Sequence, residues 1–229
     1  MQGRLASYQA SQKRLLDREG RPLSGFLAEP TGPAVGAVVI VHDFFGLSPA
    51  MKSVATRLSN EGFVGYAPDL YRGEVATTRE HATELVSRLA WNSVAIELGL
   101  AVGALKAARP TARVAIVGFA MGGAAALVAA AAVPAISAAV TFYGIPQDVT
   151  LENPKVRVQG HFASRDKKCT PERVLALERS LRERAIPFEF HRYEADNGFF
   201  NPTRPETYSQ IDASRSWGST LAFLRASLA

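Results

Sequence analysis

The sequence is almost without cysteine: Cys169 is the only one in 229 residues. An internal disulfide framework and a cysteine-rich zinc site are therefore excluded. Long apolar runs are missing too. The longest, around residues 35–41 and 124–133, fall well short of the ~20 residues that a bilayer-spanning helix needs, so no membrane segment is expected. Residues 1–16 are polar and amphipathic and lack the apolar centre of a secretory signal, which makes a cytoplasmic location the default expectation. No basic tract stands out either. The formal charge of +5 comes from 26 Lys and Arg against 21 Asp and Glu, and the cations are spread along the chain with carboxylates between them. Without a nucleic-acid motif or interleaved aromatic and basic residues, nucleic acid is not an expected partner; the charge at most favours small anionic molecules. There is no phosphate-cradling glycine loop of the nucleotide type and no His, Cys and carboxylate cluster at metal-ligand spacing, so neither cofactor nor metal is implied. Repeats, low-complexity tracts and Pro/Gly/Ser-rich linkers are also lacking. With 47% hydrophobic residues the expectation is one domain over 1–229, with 1–24 as an N-terminal extension or edge strands. Oligomeric state is left open.

What is present is an alternation of two periodicities. Residues 36–41, Gly-Ala-Val-Val-Ile-Val, form a β-branched apolar run bounded by Pro33 and His42-Asp43, as in a strand buried on both faces. Pro49 after Ser48 opens a helix that Gly62 ends. A strand over 63–67 follows, closed by Pro68-Asp69. Helical periodicity then runs through 77–108 and fits one helix or two. Strands at 113–117, 136–142, 156–162 and 187–193 alternate with helices at 121–132, 171–184 and 208–228. Such alternation predicts an α/β fold with a mostly parallel central sheet and helices on both faces. Ligands of open α/β sheets bind beyond the carboxyl ends of the strands. Four segments there carry the chemistry: 42–46, 118–123, 164–166 and 196–201.

One of these, Gly118-Phe119-Ala120-Met121-Gly122-Gly123, has the frame of a nucleophile elbow, Gly-x-nucleophile-x-Gly between a strand and a helix. There small residues allow a tight turn that lifts the central side chain clear. On its own the pattern also describes an ordinary strand-to-helix connection. Its companions add weight, because in the elbow architecture the acid and then the histidine follow the nucleophile in chain order. Here Asp166 follows the strand at 156–162, and Asp196-Asn197-Gly198-Phe199 follows the last strand.

Taken with His42-Asp43-Phe44-Phe45-Gly46, Ala67-Pro68-Asp69-Leu70-Tyr71, Phe142-Tyr143-Gly144, Gly160-His161-Phe162 and Phe199-Phe200-Asn201, the chain resembles the dienelactone hydrolase family of α/β-hydrolases from about Gly25 to Leu228. The resemblance implies a Cys or Ser, Asp and His triad that hydrolyses small esters and lactones. Carried over, the nucleophile position is Ala120, the acid is Asp166 and the histidine position is Asn197. The resemblance also implies an oxyanion hole from the backbone N–H groups of Phe44 and Met121, and places Asp43 where the family has a Glu that contacts the nucleophile. Arg79 is a candidate partner for a ligand carboxylate, with a solvated helix-start arginine as the plain alternative. Tyr143 and Trp91 are candidates for the ligand pocket or for core packing.

An alanine methyl has no lone pair with which to attack a carbonyl, and an asparagine amide is no general base near neutral pH. Cys169, in a polar loop, reads as a structural or solvent-exposed thiol. His161 and His191 read as packed or surface residues, His42 as a neighbour of the site, and His81 as uninformative. The expectation is a hydrolytically inactive relative that binds a small acyl, lactone or carboxylate ligand. The alternatives are an inactivated variant of a genuine hydrolase, and a repurposed enzyme working without a covalent intermediate.

Overall fold

In the computed structural model the described residues are Leu16, Gly20, 23–147, Asn153 and 155–229. The expected extension over 1–24 lies almost wholly outside them. Seven strands form one sheet: β1 (Gly25–Ala28), β2 (Gly36–Val41), β3 (Phe63–Pro68), β4 (Val114–Phe119), β5 (Ile136–Phe142), β6 (Arg157–Ala163) and β7 (Phe188–Tyr193). Their order is β1-β3-β2-β4-β5-β6-β7. Only β1 is antiparallel, pairing Phe26 with Ala67 and Leu27 with Tyr66; the other pairs are parallel. This edge strand was not among the sequence-predicted elements: four residues are too few to show a period.

The helices are α1 (Pro49–Asn60), α2 (Arg79–Ser87), α3 (Trp91–Ala108), α4 (Met121–Ala132), α5 (Pro171–Glu183) and α6 (Gln210–Leu228). The periodic stretch at 77–108 is two helices, which turn by 86° across the break. Ser48 and Thr78 cap α1 and α2 by accepting from the Met51 and His81 N–H groups, satisfying donors that a helix start leaves free. No single helix among the described residues is long and apolar enough to cross a membrane; the bent α2–α3 pair passes only by length and composition.

Alternation within the strands splits the core in two. Ala37, Val39 and Val41 of β2 face α2, α3, α4 and α5, whereas Val38 and Ile40 face α1 and α6. The chain leaves β2 toward β3 on one side and enters β4 on the other, so the switch point of the sheet lies between β2 and β4. Crevices form at such points because neighbouring connections depart in opposite directions. Here the β2–α1 and β4–α4 turns flank it.

The β4–α4 turn is closed by backbone contact. A Cβ on Gly118 would lie 2.0 Å from the Gly122 carbonyl oxygen, and one on Gly122 would lie 2.3 Å from the oxygen of His42 and 2.4 Å from that of Val41. Gly103, inside α3, has nothing within 4 Å of the same position. Two glycine-to-alanine changes should therefore have opposite signs in urea unfolding. Gly122→Ala is expected to lose about 1–3 kcal/mol or more through overpacking against rigid backbone. Gly103→Ala is expected to gain about 0.4–1 kcal/mol by restricting the unfolded chain.

Candidate functional site

At the end of β4, Ala120 has φ 51° and ψ −114°, a conformation that L-residues rarely adopt. Three backbone hydrogen bonds hold it there. Its N–H donates to Phe142 O at 2.9 Å, and its carbonyl accepts from Gly123 N and Ala124 N at 3.0 and 3.1 Å. Such strain costs about 1–3 kcal/mol and persists only where the surroundings over-determine it. The Ala120 side chain lines a pocket of about 230 Å³.

Asp166 and Asn197 come from the turns after β6 and β7. Ser164 N–H donates to Tyr193 O and Arg165 N–H to Ala195 O, so the two turns are tied together by backbone. Asp166 is buried. Its Oδ1 accepts from Lys168 N–H at 2.7 Å, and its Oδ2 accepts from the Asn197 amide Nδ2 at 2.7 Å. The same amide points a weaker contact at Tyr143 O, 3.4 Å away. Asn197 lines the Ala120 pocket; Asp166 stands behind it.

His42 and Asp43 follow β2. The Leu70 N–H donates to His42 Nε2 at 3.3 Å, so that nitrogen is the acceptor and Nδ1 carries the proton, 2.8 Å from Asp43 O. Burial holds the ring's pKa below the ordinary histidine value. His42 is thus a structural neighbour of the pocket. The Asp43 carboxylate accepts two hydrogen bonds: Oδ1 from Phe45 N–H at 2.9 Å and Oδ2 from Asn201 Nδ2 at 3.0 Å. Burial pushes its pKa up, against those two hydrogen bonds. The N–H groups of Phe44 and Met121, both at the pocket, have no acceptor among the described residues. Met121 opens α4, where the helix dipole favours a partial negative charge.

Charge at the pocket is mostly positive. Arg79, Lys168, Arg173 and Arg204 line it, against Asp43 and Glu206. Arg173 spends its donors on the carbonyls of Lys168, Ile145 and Pro146. Arg204 is different. Its guanidinium carbon sits 3.4 Å from the centre of the Phe45 ring and Nη1 is 3.6 Å from Glu206, yet the buried Nη2 has no hydrogen-bond partner. Sequence reasoning singled out Arg79, which does line the pocket, and missed Lys168, Arg173 and Arg204. Each belongs to no motif; the available signal was only their closeness in sequence to Asp166 and Asn201.

Three other expectations can be compared with the structure. Trp91 does not line the Ala120 pocket; it lies 48% exposed on an adjoining groove, because α3 starts only after the sharp break that follows α2. Tyr143 both lines the pocket and packs in the core against Phe142 and Phe199. For Cys169, of the two alternatives, structural or solvent-exposed thiol, the first holds: it is 3% exposed, and burial, with Asp166 nearby, pushes its pKa up to about 12. His161 is fully buried among Tyr193, Gln159 and Thr220 and stacks on His191, away from the pocket. Among the described residues no group of three or more His, Cys, Asp or Glu is placed to hold a metal ion.

Two measurements check this geometry. Ala120→Gly should stabilise the protein by about 1 kcal/mol in urea unfolding, reversing the usual sign of an alanine-to-glycine change, because glycine relieves the positive φ. Labelling of Cys169 by a thiol reagent at pH 8 should be slow in the folded protein and fast in denaturant, since the thiolate is the reactive form.

The model of the dienelactone hydrolase family matches residues 23–228. The protein named usf from Aquifex pyrophilus is 28% identical over 221 residues, covering 91% of this chain and 95% of its own. Among solved structures, a dienelactone hydrolase-like promiscuous phosphotriesterase from metagenomic libraries superposes with a TM-score of 0.80 at 22% identity, over 90% of this chain and 92% of its own. A thermophilic esterase of Thermogutta terrifontis, solved with propionate bound, superposes with a TM-score of 0.68 at 15% identity, over 93% and 92%. The strained strand-to-helix turn, the sheet order and a family match over nearly the whole length agree: this chain belongs to the dienelactone hydrolase family and has its α/β-hydrolase fold.

Proposed function

We propose that this protein binds a small acyl, lactone or carboxylate ligand in the Ala120 pocket and does not hydrolyse it. The observation that carries the reading is the Asn197 amide, which donates to Asp166 at 2.7 Å beside an Ala120 held at φ 51°. The support that would orient a histidine and the strain that would present a nucleophile both remain. The atoms that would attack and accept a proton do not.

Acyl transfer needs a lone pair at the elbow and a base beside it. The Ala120 methyl has no lone pair. The Asn197 Nδ2 is a donor already engaged by Asp166, and an amide does not take up a proton near neutral pH. Cys169 offers no substitute, since its thiol stays protonated well above neutral pH. Each oxygen of Asp43 is already an acceptor for the fold. What such a site retains is recognition. The free Phe44 and Met121 N–H groups suit a carbonyl or carboxylate oxygen, which depends on main-chain geometry alone. The unpartnered Nη2 of Arg204, with the exposed Arg79 on the same lining, suits a negative charge.

Short-chain nitrophenyl esters and simple lactones should show no turnover above background; turnover that survives Cys169→Ser would overturn the reading. The double change Ala120→Cys with Asn197→His should create esterase activity if, as this reading holds, Asp166 acts as the acid and the Phe44 and Met121 N–H groups as oxyanion donors. Its failure would mean that the pocket has drifted from catalytic alignment. For the binding half, Arg204→Gln should weaken butyrate at least tenfold by calorimetry, as expected when a desolvated charge-assisted contact is removed.

A further inference from the structure

The Ala120 pocket does not end at its own walls. Met121, Ala124 and Ile145 also line a second, larger depression of about 580 Å³, completed by Trp91, Asn92, Val94, Ala95, Ala125, Val128, Pro146 and Gln147. Its origin is visible in the helices. On α4, positions 121, 124, 125 and 128 share one face by the i, i+3, i+4, i+7 rule, and two of the four are alanines, whose short side chains leave a trough. On α3, positions 91, 94 and 95 share the opposing face. All side chains of the groove are apolar except Asn92 and Gln147. At about 230 Å³, the Ala120 pocket alone is smaller than the ~300–1,000 Å³ usual for small-molecule sites. With the groove it falls within that range.

We infer that the ligand is an amphiphile: its carboxylate or acyl head lies at Ala120 and its hydrocarbon chain runs past Met121 and Ala124 into the α3–α4 groove. The inference rests on the reading of the Ala120 pocket as a binding site and adds the class of ligand. A polar head alone would leave Trp91, 48% exposed beside that pocket, facing water. A chain continuing from the head covers the ring and needs no second recognition site, because the two cavities share a wall. Charge is arranged to match. The cations Arg79, Lys168, Arg173 and Arg204 all line the head pocket, and none lines the groove.

The test is calorimetric titration of the full chain with sodium butyrate and sodium octanoate below micellar concentrations. Burying a methylene contributes ~0.8 kcal/mol, which converts to about fourfold in affinity. Allowing for the open side of the groove, octanoate is expected to bind at least tenfold more tightly than butyrate. Val128→Asp, at a half-buried groove position outside the head pocket, should abolish that advantage and leave butyrate binding unchanged. Without any variant near the groove, octanoate should shift the emission of Trp91 to the blue. Trp217, on α6 and packed against Phe200 and Arg57 on the other face of the sheet, makes Trp91→Phe the control that removes the shift. Equal affinity for both acids, a Val128→Asp loss shared by both, or an unchanged Trp91 emission on octanoate binding would each overturn the inference. So would sedimentation showing a dimer that Val128→Asp dissolves, since a second copy would then be the occupant of the groove. Failure of the head-site reading is distinguishable: Arg204→Gln would then leave both affinities unchanged while the chain-length advantage and its loss in Val128→Asp persist.

Discussion

The carboxyl edge of the sheet depends on how closely α4 can approach the end of β2. With no Cβ on Gly118 or Gly122, the first turn of α4 rests directly on the carbonyls of Val41 and His42. That contact brings the two turns at the switch point together, so the N–H groups of Phe44 and Met121 reach the same pocket. It also leaves Ala120 no relaxed conformation, because its N–H is held by Phe142 O and its carbonyl by the start of the helix. The geometry is a property of backbone sterics and hydrogen bonds. It therefore does not depend on which side chain occupies position 120, and an alanine can stand there at φ 51°.

A second layer is electrostatic. Asp166 and Asp43 are both buried carboxyls, and the fold treats them alike by surrounding them with N–H donors: Lys168 N and Asn197 Nδ2 for one, Phe45 N and Asn201 Nδ2 for the other. Buried carboxylates are tolerated on those terms. The cations at the pocket are handled differently. Arg173 is absorbed into a loop by three carbonyls, whereas Arg204 lies flat on Phe45 with one nitrogen unmatched. An unmatched buried donor is costly to the fold alone.

Much of this was legible in the chain. The β-branched run at 36–41, the Ser48-Pro49 start, the alanine-rich helix at 121–132 and the strand at 136–142 coincide with the observed β2, α1, α4 and β5, since a strand buried on both faces and a capped helix write their periods locally. The elbow frame and the positions of Asp166 and Asn197 were legible because glycine spacing and chain order are sequence properties. What was not legible came from contacts across the sheet. β1 is a strand only because β3 offers it an edge. Cys169 sits among polar neighbours in sequence and is nevertheless buried. Trp91 belongs to the groove because of an 86° turn that no local pattern encodes.

The sequence by itself determined the family, the order of elements, and the identity of the residues at 120, 166 and 197, because these follow from short-range pattern and covalent order. Only the tertiary structure decided that the Asn197 amide meets Asp166 at 2.7 Å, that the Nη2 of Arg204 is buried at the pocket without a hydrogen-bond partner, and that an apolar groove opens off the pocket between α3 and α4. Each of these unites residues from turns or helices distant along the chain. The physical reason is that hydrogen-bond length, burial and cavity shape are set by how elements pack, and packing is not a local property.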